Sequence, residues 1–373
     1  MAPVRTHSRD SPSESGPFFV VGSPRSGTTL LRYMLDSHPR LAVPGESEFI
    51  ISLRDPMLRL RRRPEAALEA ILSNEKFRAW GLDPDTVRSD VAAEGPTDFV
   101  DVVRAVYASF ARLHGKVRWG DKTPGYALHL RTLARLFPDA RFVHLIRDGR
   151  EVAASLAERT WGPSSAVSGA FWWRQLVASA RRAGTLLGPD RYLEIRLEDL
   201  ICDPEGVLTR VCDFLGEKFE PEMLDYSATI ESRYPGHHER GEHLLRPPTA
   251  GLRDWRAALS ERDERLLEAA CRRWLVRLGY PTEGPALPLA RAQVVGMYLR
   301  DKLLPGRPVT LWAWLDPGQR HPVTRMLDRF RVPRRSVRGT GPGDRRNPPS
   351  GPGPNLPRPS TSSGTSGSGP EVQ

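Results

Sequence analysis

The chain has 373 residues, 39 % hydrophobic and 8 % aromatic, enough to bury one large core or two small ones. Its net charge of +10 is uneven: residues 317–373 hold ten Lys+Arg against three Asp+Glu, a net +7 that leaves about +3 for the rest, which argues against a protein that coats nucleic acid. Three cysteines, Cys202, Cys212 and Cys271, match no metal or disulfide spacing and read as reduced thiols.

Residues 1–16 are polar, lack the apolar core of a signal peptide, and are predicted to be disordered. No apolar run in the chain is long enough to cross a bilayer, so a cytoplasmic protein is expected. The first strand signal is 17–23, followed by the loop "GSPRSG" and a helical pattern from Gly27 to Ser37. Further strand signals lie at 41–43, 141–147 and 191–197. Helical patterns separate them at 64–72, 97–114, 126–136, 149–159, 166–187 and 204–215, with two more at 261–278 and about 289–303. This alternation predicts an α/β fold, a P-loop-like parallel sheet flanked by helices. The stretch 49–118 is too long for one crossover and is expected to form a helical cap over the sheet edge. Residues 305–333 read as a C-terminal extension, and 334–373 as a disordered, basic tail rich in Pro, Gly and Ser.

Strand, glycine-rich turn and helix follow in the order a phosphate site needs, because helix-start N–H groups and the helix dipole attract an anion. The loop has the outer spacing of a nucleotide triphosphatase loop, yet Thr28 stands where that loop carries its lysine. Arg25 restores a cation inside the loop, and no convincing strand offers a magnesium-holding aspartate beside it. The site therefore suits a nucleotide anion without a metal. A second cluster is "ARFVHLIRDGREVAASLAER": Arg147 closes a strand, and Ser155 and Arg159 lie four apart on the helix that follows. Two guanidiniums and a hydroxyl on one anion would form a phosphate clamp.

The run "PRSGTTLLRYMLDSHP" resembles the 5′-phosphosulfate loop of the sulfotransferases, closest in form to the protein-tyrosine sulfotransferases and their bacterial relatives. The resemblance covers residues 17–280, within a predicted domain of 17–304. It implies 3′-phosphoadenylyl sulfate as co-substrate, held by Pro24, Arg25, Ser26, Gly27, Thr28 and Thr29, with the Arg147, Ser155, Arg159 cluster at its 3′-phosphate. "RWGDKTP" resembles the family segment whose lysine reaches the transferring group, which assigns Lys122. "PGESEF" lies where the tyrosine sulfotransferases carry Gly-Glu-Glu with the second Glu as base. Here Ser47 takes the second place, and Glu46 is favoured over Glu48. Catalytic roles thus fall on Glu46, Lys122 and Arg25, with no metal required. Arg246 and Arg253 resemble residues of a late loop over the donor, and Leu197 stands where the family often has an aromatic residue. His237, His238 and His243 fit no zinc spacing.

The expected reaction moves a sulfuryl group to an acceptor hydroxyl on a small molecule, glycan, lipid or peptide tyrosine. Two alternatives remain at this stage: a kinase-like phosphotransferase, which would need magnesium, and a non-catalytic module that binds the spent bisphosphate nucleotide. The helix holding Trp172 and Trp173 either shapes the acceptor pocket or is plain core.

Overall fold

In the computed structural model, which describes residues 16–53, 63–228, 255–256 and 259–282, five strands form one parallel sheet. They are β1 (Phe18–Gly22), β2 (Leu41–Ala42), β3 (Arg118–Lys122), β4 (Arg141–Ile146) and β5 (Tyr192–Arg196), in the order β2-β3-β1-β4-β5. β1 is central because its side chains are apolar on both faces. Phe19 and Val21 enter one core, Phe18 and Val20 the other, and all four are fully buried. Such a two-sided run needs cover above and below, which only helices on both faces supply.

The helices alternate with the strands. α1 (Thr28–Ser37) leads from β1, and α2 (Phe49–Ser52), α3 (Pro64–Leu72), α4 (Glu75–Arg78), α5 (Pro84–Glu94) and α6 (Phe99–Leu113) lie between β2 and β3. A 3₁₀ turn (Pro124–Leu128) and α7 (Leu130–Leu136) precede β4; α8 (Gly149–Ala157) and α9 (Ala166–Leu187) precede β5. α10 (Leu197–Cys202), α11 (Pro204–Leu215) and α12 (Glu261–Arg277) follow. Several starts carry side-chain caps, among them Asp98 for α6, Asp148 for α8, Ser165 for α9 and Ser260 for α12. No helix among the described residues is long and apolar enough to cross a membrane.

Two expectations change. β3 did not register as a strand from "RWGDK", yet it pairs in parallel with both β1 and β2. Its charged side chains are buried because distant segments partner them. Arg118 donates to the Leu215 carbonyl and pairs with Glu217, while Asp121 accepts from the Tyr107 hydroxyl. A strand with an aspartate therefore does lie beside the loop-bearing strand, but that carboxylate is engaged with α6. Helix α8 also ends at Ala157 and not at 159. The chain folds back over its end through Gly162, whose amide donates to the Arg159 carbonyl. A Cβ at Gly162 would sit 1.9 Å from the Leu156 carbonyl oxygen, so only glycine permits the turn.

Trp173 is fully buried beneath Gly149, and Trp172 is buried in the same core. The thiols of Cys212 and Cys271 are buried and Cys202 is exposed; all three are free. The helix expected at 289–303, the segments 305–333 and 334–373, and Arg246, Arg253, His237, His238 and His243 lie outside the described residues.

Candidate active site

β1 lies where the strand order switches direction. The chain that follows β1 first builds β2 and β3 on one flank, and then β4 and β5 on the other. In open α/β sheets such a switch leaves a crevice at the strands' carboxyl ends. The loop after β1 and the turn after β4 both leave the sheet at that edge.

The loop after β1 turns tightly, with the Ser26 amide donating to the Ser23 carbonyl at 3.1 Å. Arg25 adopts a left-handed backbone (φ 72°), an uncommon state for a residue with a side chain and one that gathers at functional sites. Gly27, at φ 89°, starts α1 and packs under Leu197, whose Cδ1 would lie 2.5 Å from any Cβ placed there. The aliphatic residue at 197 and the glycine are thus one fitted pair. α1 has no side-chain N-cap of its own, which leaves its first N–H groups to be satisfied by something else.

The fold joins the two clusters. The Arg25 Nε donates to the Ser155 hydroxyl at 3.1 Å, and an Arg147 guanidinium nitrogen donates to the Arg25 carbonyl at 3.2 Å. Arg147 is also gripped through its Nε and a terminal nitrogen by Glu151, the Nε contact being 2.8 Å. Arg159 lies past the end of α8, half-buried, and its Nε has no hydrogen-bond partner among the described residues. Ser26 is fully buried, and its hydroxyl likewise has none. Thr28 is buried at the helix start and Pro24 half-buried in the loop.

On the opposite flank of the loop, Lys122 at the end of β3 reaches Glu46 at 2.6 Å and the Thr29 hydroxyl at 3.4 Å. Burial lowers the pKa of the Lys122 ammonium below the usual lysine value, and the adjacent Glu46 carboxylate opposes that shift. Glu48 is not in this cluster; it pairs at 3.2 Å with Lys76, on the surface of α4. Between the two carboxylates, Ser47 is fully buried.

The remaining positions of "LLRYMLDSHP" hold this geometry from behind. Arg32 Nε donates to the Val43 carbonyl at 2.8 Å, and Asp36 accepts the Val43 amide at 2.9 Å. Buried Lys116 bonds the carbonyl and carboxylate of Asp36 and the Leu41 carbonyl, the last at 2.6 Å. His38 accepts the Arg40 amide at 3.0 Å. Together these contacts fix the chain entering the Glu46 segment against α1.

Sequence reasoning missed Glu151, Asp121, Ser47 as an anchor, and Tyr126. Glu151 carried a local signal, four residues beyond Arg147; the others depend on contacts between distant segments.

The Sulfotransferase family model matches residues 17–221. Nodulation protein NoeE of Sinorhizobium fredii is 27 % identical over 290 residues, covering 70 % of this chain and 65 % of that protein. Protein-tyrosine sulfotransferase 2 of Gallus gallus is 28 % identical over 218 residues, covering 57 % of this chain and 54 % of its own length. This chain thus spans less than two thirds of either relative. Among solved structures, the sulfotransferase domain from the Synechococcus PCC 7002 olefin synthase matches with a TM-score of 0.50 at 24 % identity, over 75 % of this chain and all of that one, a likeness of fold.

Proposed function

The chain belongs to the sulfotransferase family, and from that premise we propose that it moves a sulfuryl group from 3′-phosphoadenylyl sulfate to an acceptor hydroxyl. The observation that carries this reading is the bracket around one loop: Glu46, Lys122 and Thr29 on the β3 side, Arg25, Ser155 and Arg147 on the β4 side. The residues fit such a donor. The uncapped start of α1 and the unpartnered, buried Ser26 hydroxyl supply donors for a phosphate. The Arg159 Nε, unpartnered among the described residues, and Arg147, tied to the loop through the Arg25 carbonyl, would supply guanidiniums for a second one.

Bound there, the donor contributes the sulfuryl group and a nucleotide leaving group; the rest is done by this chain. Pro24 to Thr29 would hold the 5′ end of the donor, and Arg147, Ser155 and Arg159 its 3′-phosphate. Glu46 would take the acceptor's hydroxyl proton, a service typically worth about 10² to 10⁴ in rate. Lys122 and Arg25 would offset the negative charge that grows on the departing side. Lys122 holds the Glu46 carboxylate in place, with its ammonium at 2.6 Å.

The acceptor class we propose is a hydroxyl compound, and the name of the chicken relative makes a peptide tyrosine the first one to try. Purified protein with sulfur-labelled donor should be offered tyrosine peptides, simple phenols, oligosaccharides and glycolipids in parallel. Label should move from the donor to one of them. Transfer from γ-labelled ATP with magnesium, and none from the sulfate donor, would overturn the proposal in favour of a phosphotransferase.

A further inference from the structure

Five polar side chains lie packed beneath the Glu46–Lys122 pair, and none of them is used by the reading above. Ser47, Asp121, Tyr107, Thr123 and Tyr126 are each at most 3 % exposed. Buried polar groups cost free energy unless satisfied, so a cluster of five is informative.

The bonds run across three segments. The Ser47 amide donates to the Thr123 hydroxyl at 3.1 Å, and the Ser47 hydroxyl meets the Tyr126 hydroxyl at 2.9 Å. Tyr126 also accepts the Ile50 amide at 3.2 Å. With one lone-pair side taken by that amide, its phenolic proton is free to go to Ser47. Tyr107 donates to Asp121 at 2.5 Å. The other carboxylate oxygen has no partner in strict hydrogen-bonding geometry among the described residues, but the Ser47 and Thr123 hydroxyls act on the carboxylate. An ionised carboxylate only accepts, so it gives the hydroxyl protons of the cluster a common direction.

The backbone supplies a second, independent observation. Glu48 sits at φ 51°, a left-handed state that is unusual for a residue with a side chain. Such strain persists where the neighbours over-determine it. Its neighbours do so here: Ser47 is anchored inward by the cluster, and Phe49 is fully buried in the core. With both turned in, Glu46 and Glu48 are left to opposite tasks. A slip of one residue would place a carboxylate in the apolar position of Phe49 or among the hydroxyls.

We propose that Ser47, Thr123, Tyr126 and Asp121 are positioning residues that lock the register of segment 46–50, so that Glu46 and not Glu48 meets Lys122. The inference rests on the reading of Glu46 as the base. The lock acts on the rate by holding Glu46 against Lys122; its own hydrogen bonds run neither to the donor loop nor to the Arg147 side of the site.

Tyr126→Phe and Ser47→Ala delete hydroxyls and little else. Amide hydrogen exchange of the full chain with adenosine 3′,5′-bisphosphate bound reads the lock without any acceptor. The loss of one net hydrogen bond should speed exchange at residues 47–50 about tenfold in Tyr126→Phe, while β1 keeps its protection. With the acceptor found by the labelled-donor screen, turnover should fall about tenfold while affinity for the bisphosphate nucleotide and donor KM hold within roughly twofold. In a Glu46→Gln background, Tyr126→Phe should cost nothing more, because the group it positions is already gone. Unchanged exchange at 47–50, exchange rising equally over β1, or losses that multiply in the double variant would each overturn the lock. Full activity in Glu46→Gln would instead sink the base assignment, and the exchange result would still decide whether the segment is held as described.

Discussion

Asp121→Asn should make the protein more stable and less active, with a pH signature that identifies the cause. Burial pushes the Asp121 carboxyl up to about 6 from its ordinary 3.8, against the lesser support of Tyr107, Ser47 and Thr123. The folded state therefore keeps a proton that the unfolded chain has given up, and stability falls as pH rises between those two values. Above the folded pKa the penalty is constant. Two pH decades at about 1.36 kcal/mol each put it near 3 kcal/mol. Asparagine has the same shape, accepts the Tyr107 proton and carries no charge, so it escapes the penalty. Urea unfolding at pH 8 should show the variant gaining on the wild type by up to about 3 kcal/mol, and most of the gain should disappear near pH 4. A stability difference that is the same at both pH values would show that folding does not raise the Asp121 pKa, and would refute the reasoning. A drop in turnover alongside the gain is expected, since the hydroxyl cluster loses its acceptor-only member.

Glu46→Gln should cut turnover at least about 10²-fold with donor affinity intact, whereas Glu48→Gln, at a surface ion pair, should stay near wild type; reversal of the two would move the base. Arg147→Ala should weaken binding of adenosine 3′,5′-bisphosphate far more than that of adenosine 5′-monophosphate, read by calorimetry, and equal losses would remove it from the 3′-phosphate. Activity should survive a chelator, since the cations placed around the loop are Arg25, Lys122 and Arg147; loss in EDTA with recovery on adding magnesium would count against the mechanism.

Much of this architecture was legible because it is local. β1, α1, β4 and α8 follow from apolar runs punctuated by glycine, and α3, α9 and α11 match their periodic stretches to the residue. The two clusters proposed to hold the donor's anions are equally local, each contained within about one strand-turn-helix unit. β3 was hidden for the opposite reason. Its sequence is polar, and what makes it a buried strand is Glu217 and Leu215 on Arg118, Tyr107 on Asp121 and Glu46 on Lys122. Those partners lie in other segments, so no window around "RWGDK" contains the reason it folds in. The sequence favoured Glu46 over Glu48 without showing what separates their environments, since Thr123 and Tyr126 anchor the serine between them from beyond the cap helices. Arg159 was misplaced because the pattern of α8 runs on past the turn that Gly162 makes.

The missing loop lysine has a physical counterpart in the arrangement of the strands. Neighbouring strands in a sheet lie about 4.8 Å apart, so residues at the ends of β3 and β4 flank whatever β1 presents. Lys122 comes from one flank and Arg147 from the other, with Arg25 on the loop between. A lysine within the loop would face the phosphate at all times. Moved to β3, the ammonium is paired with Glu46, and its charge is largely spent on that carboxylate before reaction. In the mechanism we propose, Glu46 would become neutral on taking the acceptor's proton, and the same ammonium would lose its counter-charge in a site where burial strengthens every electrostatic effect. The field of Lys122 would then turn toward the leaving side at the moment negative charge appears there. Proton removal and charge stabilisation would become one coupled event, and the coupling would depend on a single salt bridge that the register of segment 46–50 decides.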